Sequence, residues 1–145
     1  MGRAKRSYDY DNYGRVQDST VTYVPTSGSA QTVLTETYTY RAPSSGTTSG
    51  QIASHKTESS GYNVTYTYTY DNRGNILSIS DGTYTTSYEY DNANQLIREN
   101  NQKEGYTYVW AYNKGGNIEN RREFPYTTGA VDIGQIAAGY VEITE

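Results

Sequence analysis

Tyr62-Asn63-Val64-Thr65-Tyr66-Thr67-Tyr68-Thr69-Tyr70-Asp71-Asn72-Arg73-Gly74-Asn75-Ile76-Leu77 decides the fold. Tyr62, Val64, Tyr66, Tyr68 and Tyr70 fall on one side of an extended chain, and Asn63, Thr65, Thr67 and Thr69 on the other. That is the two-residue period of a half-buried strand, and helical spacing does not fit it. The strand runs into Asp71-Asn72-Arg73-Gly74 and then a shorter apolar run from Asn75 to Ser80, the signature of a hairpin. The Asp71 carboxylate can accept hydrogen bonds from amides just downstream. Gly74 can take the left-handed conformation that closes a type I turn with a bulge.

The pattern repeats. Tyr88-Glu89-Tyr90-Asp91-Asn92-Ala93-Asn94-Gln95-Leu96-Ile97 follows Tyr68 to Leu77, and Trp110-Ala111-Tyr112-Asn113-Lys114-Gly115-Gly116-Asn117-Ile118 follows that. Another copy lies near the start, Tyr8-Asp9-Tyr10-Asp11-Asn12-Tyr13-Gly14-Arg15-Val16. The unit is an aromatic residue, any residue, Tyr, Asp or Asn, two variable positions, Gly or Asn, a polar residue and an aliphatic one. A degraded copy starts at Tyr38-Thr39-Tyr40 and then departs into Arg41-Ala42-Pro43-Ser44-Ser45-Gly46. The second aromatic, at 10, 40, 70, 90 and 112, is spaced by 30, 30, 20 and 22 residues, a period near 20 with early loop insertions. Positive φ is expected at Gly14, Gly74, Asn94 and Gly116, since Asn is among the few other residues that tolerate it. The turn residues of the unit are then Asp11, Gly14, Asp71, Gly74, Asp91, Asn94, Asn113 and Gly116. Its aromatic residues are Tyr8, Tyr10, Tyr68, Tyr70, Tyr88, Tyr90, Trp110 and Tyr112.

Composition agrees with ordered β structure. The 145 residues suit one ordinary domain, and 18 Tyr stand beside one Phe, one Trp and few aliphatics, so tyrosine is expected to supply much of the core. The Ser/Thr/Gly-rich stretches Pro25–Ala30 and Pro43–Gly50 read as surface loops. The fold expected is all-β: tandem antiparallel β-hairpin repeats forming a curved, twisted sheet, with one repeat array over 1–129 and an irregular C-terminal segment over 130–145.

A net charge of −4 gives no footprint for nucleic acid or an anionic membrane surface. No window reaches the roughly 18 apolar residues of a membrane helix, and basic Met1 to Ser7 leads into Tyr8-Asp9-Tyr10-Asp11 instead of a signal-peptide apolar stretch. Cysteine is absent, which removes disulfides, thiolate catalysis and cysteine-bound zinc from consideration.

Little of the sequence speaks for catalysis. His55, the lone histidine, reads as solvent-facing, and no nucleophile elbow accompanies it. Asp9, Asp11, Asp71, Asp81 and Asp91 could in principle supply an acid–base pair, but residues recurring once per unit are better explained as turn caps. Asp71 to Asn75 offers hard oxygens for calcium without the EF-hand's bidentate Glu. Gly115-Gly116 lacks the helix start and Lys-Ser/Thr of a phosphate loop. Neither an enzyme nor a cofactor is therefore expected. Tyr66, Tyr106, Tyr108 and Trp110, spaced two apart on their strands, are the candidates for stacking sugar rings, weighed against packing between hairpins.

The four copies resemble the Rhs or YD-repeat family, found in bacterial polymorphic toxins, shell subunits of insecticidal toxin complexes, wall-associated proteins and teneurins. Tyr126-Thr127-Thr128-Gly129 resembles the wall-associated members. The resemblance implies a strip of hairpins wound into a shell, a secreted or cell-surface location, and further repeats or an enclosed toxin polypeptide as partners. A cell-wall glycan is the alternative partner. The family's paired Asp-Pro elements are missing, because the three prolines follow Val24, Ala42 and Phe124. Self-cleavage is therefore not carried over, and the chain reads as a fragment or remnant of such a wall. Exposed strand edges in a short array lead to an expectation of self-association.

Overall fold

The computed structural model describes residues 2–42, 49–131 and 141–142. It consists of β1 (Arg3–Tyr10), β2 (Val16–Val24), β3 (Gln31–Tyr40), β4 (Ile52–Ser59), β5 (Tyr62–Tyr70), β6 (Ile76–Ser80), β7 (Thr85–Tyr90), β8 (Leu96–Asn101), β9 (Tyr106–Tyr112), β10 (Ile118–Pro125) and β11 (Val141–Glu142). No helix occurs among the described residues. The expected class, all-β with tandem antiparallel hairpins, is the observed one.

The chain forms two compact units, residues 1–68 and 69–145. In the first, β1 through β5 pair antiparallel in chain order. In the second, β6 through β11 do the same. The stretch Pro25–Ala30 is a loop between β2 and β3. Most of Pro43–Gly50 and most of 130–145 lie outside the described residues. Within the latter, β11 pairs with Arg122 and Glu123.

Four of the hairpins carry a second irregularity beyond the turn. Tyr10 faces Val16 while Asp9 faces Asp18. Tyr40 faces Ile52 while Thr39 faces Ser54. Tyr90 faces Leu96 while Glu89 faces Arg98, and Tyr112 faces Ile118 while Ala111 faces Asn120. One extra residue on the returning strand, Gln17, Ala53, Ile97 or Glu119, therefore makes a bulge opposite the anchor tyrosine. A bulge shifts the two-residue alternation by one, so every later side chain of that strand changes face.

The consequence is plain in the second unit. Tyr88, Glu99, Tyr108 and Glu123 share one face, whereas Ser87, Asn100, Thr107 and Phe124, with Arg98, Val109 and Arg122, share the other. The best-buried residues all lie on this second face: Thr107 at 0% exposure, Asn100, Val109 at 6%, Arg98, and Phe124 at 8%. The expectation that tyrosine supplies the core is corrected here. Tyr88, Tyr90, Tyr106, Tyr108, Trp110 and Tyr112 are half-buried on a side-by-side face, and the enclosed core forms where residues after β10 fold back over the opposite one. There Arg98 Nη2 donates to the carbonyls of Thr127 (2.6 Å) and Gly129 (2.7 Å), and Nε donates to Asn100 Oδ1 at 2.8 Å. Thr107 Oγ1 donates to Asn100 Oδ1 and accepts from the Thr127 amide, both at 3.0 Å. Buried polar groups need partners, and this network supplies them.

Candidate functional site

The four repeat turns are built alike. Oδ1 of Asp11 accepts from the amides of Tyr13 and Arg15, that of Asp71 from Arg73 and Asn75, that of Asp91 from Ala93 and Gln95, and that of Asn113 from Gly115 and Asn117, all at 2.8–3.1 Å. The amides of Gly14, Gly74, Asn94 and Gly116 donate to the carbonyls of Asp11, Asp71, Asp91 and Asn113. These four residues have φ of +75°, +95°, +63° and +82°. Glycine adopts that conformation freely and asparagine tolerates it, which accounts for the choice of residue at this offset. The carboxylates thus hold their own turns. Among the described residues no three acidic or histidine side chains are gathered to hold a metal.

Neighbouring turns also touch each other. Arg73 donates to the Asn92 carbonyl at 3.0 Å, and Asn75 Nδ2 donates to Asn94 Oδ1 at 3.0 Å.

The second aromatic of the unit has a role that packing alone does not reveal. Tyr40 Oη donates to the carbonyl of Val16 at 2.7 Å, Tyr90 Oη to Ile76 at 2.9 Å, and Tyr112 Oη to Leu96 at 2.7 Å. Each acceptor is the first residue of the returning strand of the preceding hairpin. The phenol therefore ties one hairpin to the next at a constant place in the repeat. Tyr10, which begins the series on strand β1, is 60% exposed. The pattern contained a signal for this tie. The first aromatic position accepts Trp110, while the second is Tyr at 10, 40, 70, 90 and 112, as a position that uses its hydroxyl requires.

The candidate sugar-stacking rings are distributed over both units. Tyr106, Tyr108 and Trp110 come together on β9, but tilted: Tyr106 and Tyr108 have centroids 4.4 Å apart at 54°, Tyr108 and Trp110 5.8 Å apart at 45°. The Arg121 guanidinium lies 4.3 Å from the Tyr108 centroid and covers that ring. Tyr106 Oη is bound by Glu99 and Asn101 at 3.2 Å. Tyr66 stands in the first unit, half-buried opposite His55. His55 itself corrects the solvent-facing expectation. Its ring stacks on Tyr38 at 4.5 Å and 2°, and Nε2 lies 3.5 Å from Glu36 Oε1.

Comparison with known proteins finds no family model and no curated protein that matches. Among solved structures, the fold is similar to a chain of the crystal structure of TcdB2-TccC3-Cdc42, with a TM-score of 0.53 and 16% identity over 84% of this chain. The match covers 8% of that chain, so this protein spans a small part of its relative. The likeness is one of fold.

Electrostatics follow the same construction. The side-chain amide of Asn75, then backbone amides, hold Asp71 below the ordinary carboxylate value of 3.8. The amides of Tyr84 and Thr83 do the same for Asp81. For Asp11 burial pushes upward, but the hydrogen bonds from Arg15 and Tyr13 together outweigh it. Burial raises Tyr88, Tyr90, Tyr106 and Tyr112 above 10.0, and the Glu123 carboxylate, followed by burial, raises Tyr108. A lowered carboxylate stabilises the fold above its unfolded value and loses that contribution as pH falls. A raised phenol stabilises below its unfolded value and loses it as pH climbs through the folded one. Urea midpoints are thus expected to be level between about 4 and 10 and to fall on both sides, with several phenols releasing protons together on unfolding above 10. A midpoint that holds constant well above 10 would contradict this.

Proposed function

We propose that this chain is a structural repeat module of an exported bacterial Rhs/YD-repeat protein, contributing wall to a β-shell that encloses or displays a toxin or other cargo. The observation that carries the reading is the phenol-to-carbonyl tie, which joins successive hairpins at the same repeat position at Tyr40, Tyr90 and Tyr112. A wall is extended by adding such ties, and each hairpin gains its stability from its neighbours. The likeness of fold to a chain of the TcdB2-TccC3-Cdc42 structure supports it. So does β1, whose eight residues are all exposed and which offers an edge for further repeats. In this reading the chain has no catalytic role, needs no cofactor, and lies outside the cell or on its surface.

The test is to insert a second copy of residues 71–90 after Tyr90. A wall module accepts it: the protein folds, its strand content rises, and its urea midpoint is equal or higher. A lower midpoint or loss of folding would sink the reading, because a closed domain cannot absorb twenty added residues in its middle. Light scattering on both proteins reads the accompanying self-association. The competing reading, a carbohydrate- or cell-wall-binding module using Tyr66, Tyr106, Tyr108 and Trp110, is separated by titrating peptidoglycan fragments against Trp110 fluorescence. No change is expected, and a saturable change would favour the competitor.

A further inference from the structure

Ser19 is the anomaly of the first unit. It lies on β2 between Tyr8 of β1 and Glu36 of β3, a small residue in a row of large ones. It is 2% exposed, and its Oγ has no hydrogen-bond partner among the described residues. A buried hydroxyl without a partner is expensive, and here it lines the floor of a cleft of about 190 Å³. Tyr8, Tyr38 and Tyr40 line it together with Val16 and Ile52, and the rim carries Arg6 and Glu36, whose Nη2 and Oε2 are 2.7 Å apart.

We propose that this cleft binds a single neutral sugar ring. Its volume lies below the roughly 300–1,000 Å³ of sites for drug-sized ligands, which limits the occupant to one ring. Arg6 and Glu36 compensate each other's charge, so the cleft offers no net attraction to an ion. Together they present donors next to a carboxylate acceptor, the arrangement that matches adjacent hydroxyl groups. The Ser19 hydroxyl can donate or accept; its Oγ is shielded, so a ligand hydroxyl would satisfy it only after a small shift of the side chains around it. Tyr8, 48% exposed and with the Arg6 guanidinium 5.9 Å from its centroid, supplies its remaining ring surface for the apolar face of a pyranose. Tyr38 and Tyr40 are already stiffened: His55 stacks on Tyr38, and the Arg15 guanidinium lies 4.1 Å from the Tyr40 centroid. Arg6, with a side chain 43% exposed, is the solvent-facing part of the rim, and its guanidinium has donors beyond the one held by Glu36. The site is distinct from the tilted Tyr106–Tyr108–Trp110 ladder, and the inference does not rest on the wall reading.

The experiment titrates the whole chain with N-acetylglucosamine, galactose and mannose in separate arms, following backbone amide shifts. Saturable shifts at residues around Tyr8, Ser19 and Glu36 are expected from at least one sugar, with a Kd near or above about 1 mM. The acetamido arm against the plain hexoses distinguishes a wall-type sugar from other glycans. Ser19→Ala removes the unpartnered hydroxyl, so it is expected to leave the urea midpoint unchanged or raised while weakening the sugar about tenfold. Tyr8→Ala is expected to weaken it by at least as much. Absence of saturable shifts in all three arms, shifts confined to the second unit, or affinity indifferent to both substitutions would each overturn the proposal.

Discussion

Replacing Arg98 with alanine is expected to lower the stability of the second unit by about 3 kcal/mol and to release the segment that follows β10. Arg98 is 8% exposed, and its guanidinium makes three hydrogen bonds, two of them to the carbonyls of Thr127 and Gly129. A hydrogen bond to a charged group contributes roughly 1.5–3 kcal/mol, and such bonds are not additive within one network. Alanine leaves two carbonyls and Asn100 short of a donor and opens space beside Val109. Glu89, 3.8 Å away and largely exposed, contributes little to the balance. Lysine at position 98 keeps the charge but lacks the planar fork that reaches two carbonyls and Asn100 at once, so it should recover only part of the loss. Urea unfolding followed by Trp110 fluorescence reads the effect, because Trp110 lies in the same unit. Hydrogen exchange at the Thr127 amide, which donates to Thr107 Oγ1, reads the detachment. A loss below about 0.5 kcal/mol, typical of an unremarkable surface site, would show that the network does not hold the segment.

That core shows where the sequence stops being legible. The strands, the turns and the positive φ at Gly14, Gly74, Asn94 and Gly116 follow from local rules, since a two-residue period and a turn cap act within a few positions. The buried face does not. Read with strict alternation, Leu96, Arg98 and Asn100 share a side. The bulge at Ile97 divides them, placing Arg98 and Asn100 on the face opposite Tyr88 and Glu99. Their cover comes from Thr127 and Gly129, 29 and 31 residues beyond Arg98, and no local pattern carries that information. A faint signal existed in β9, where the side facing away from the tyrosines reads Thr107, Val109, Ala111 and is less polar than the matching side of β5, Asn63, Thr65, Thr67, Thr69. His55 was obscured for a similar reason, because its stacking partner Tyr38 lies on the neighbouring strand. The sugar-stacking candidates were read from spacing, which places rings on one face but does not set their tilt or reveal the arginine laid over them.

Removing the two phenolic hydroxyls that tie the second unit together, by Tyr90→Phe and Tyr112→Phe, is expected to destabilise it by about 1 kcal/mol each, and by an amount that differs from the sum of the two when both are replaced. Phenylalanine keeps the ring and its contacts, so only the bonds to the Ile76 and Leu96 carbonyls are lost. The two sites are coupled, because Leu96, the acceptor for Tyr112, is also the cross-strand partner of Tyr90. Loosening Tyr90 frees the strand whose carbonyl Tyr112 must reach, so a double-mutant cycle should depart from additivity. Tyr88→Phe serves as the comparison. Its position in the unit is filled by Trp110 in the following copy, so the hydroxyl is dispensable there and the change should stay within about 0.5 kcal/mol. If the second aromatic matters only as a ring, all three substitutions will look alike and the tie between hairpins will not be what the repeat selects. If the tie is what it selects, the loss will appear at positions 90 and 112 alone. The decline of stability at alkaline pH will also soften in Tyr90→Phe and Tyr112→Phe, since each removes a phenol whose ionisation the fold resists.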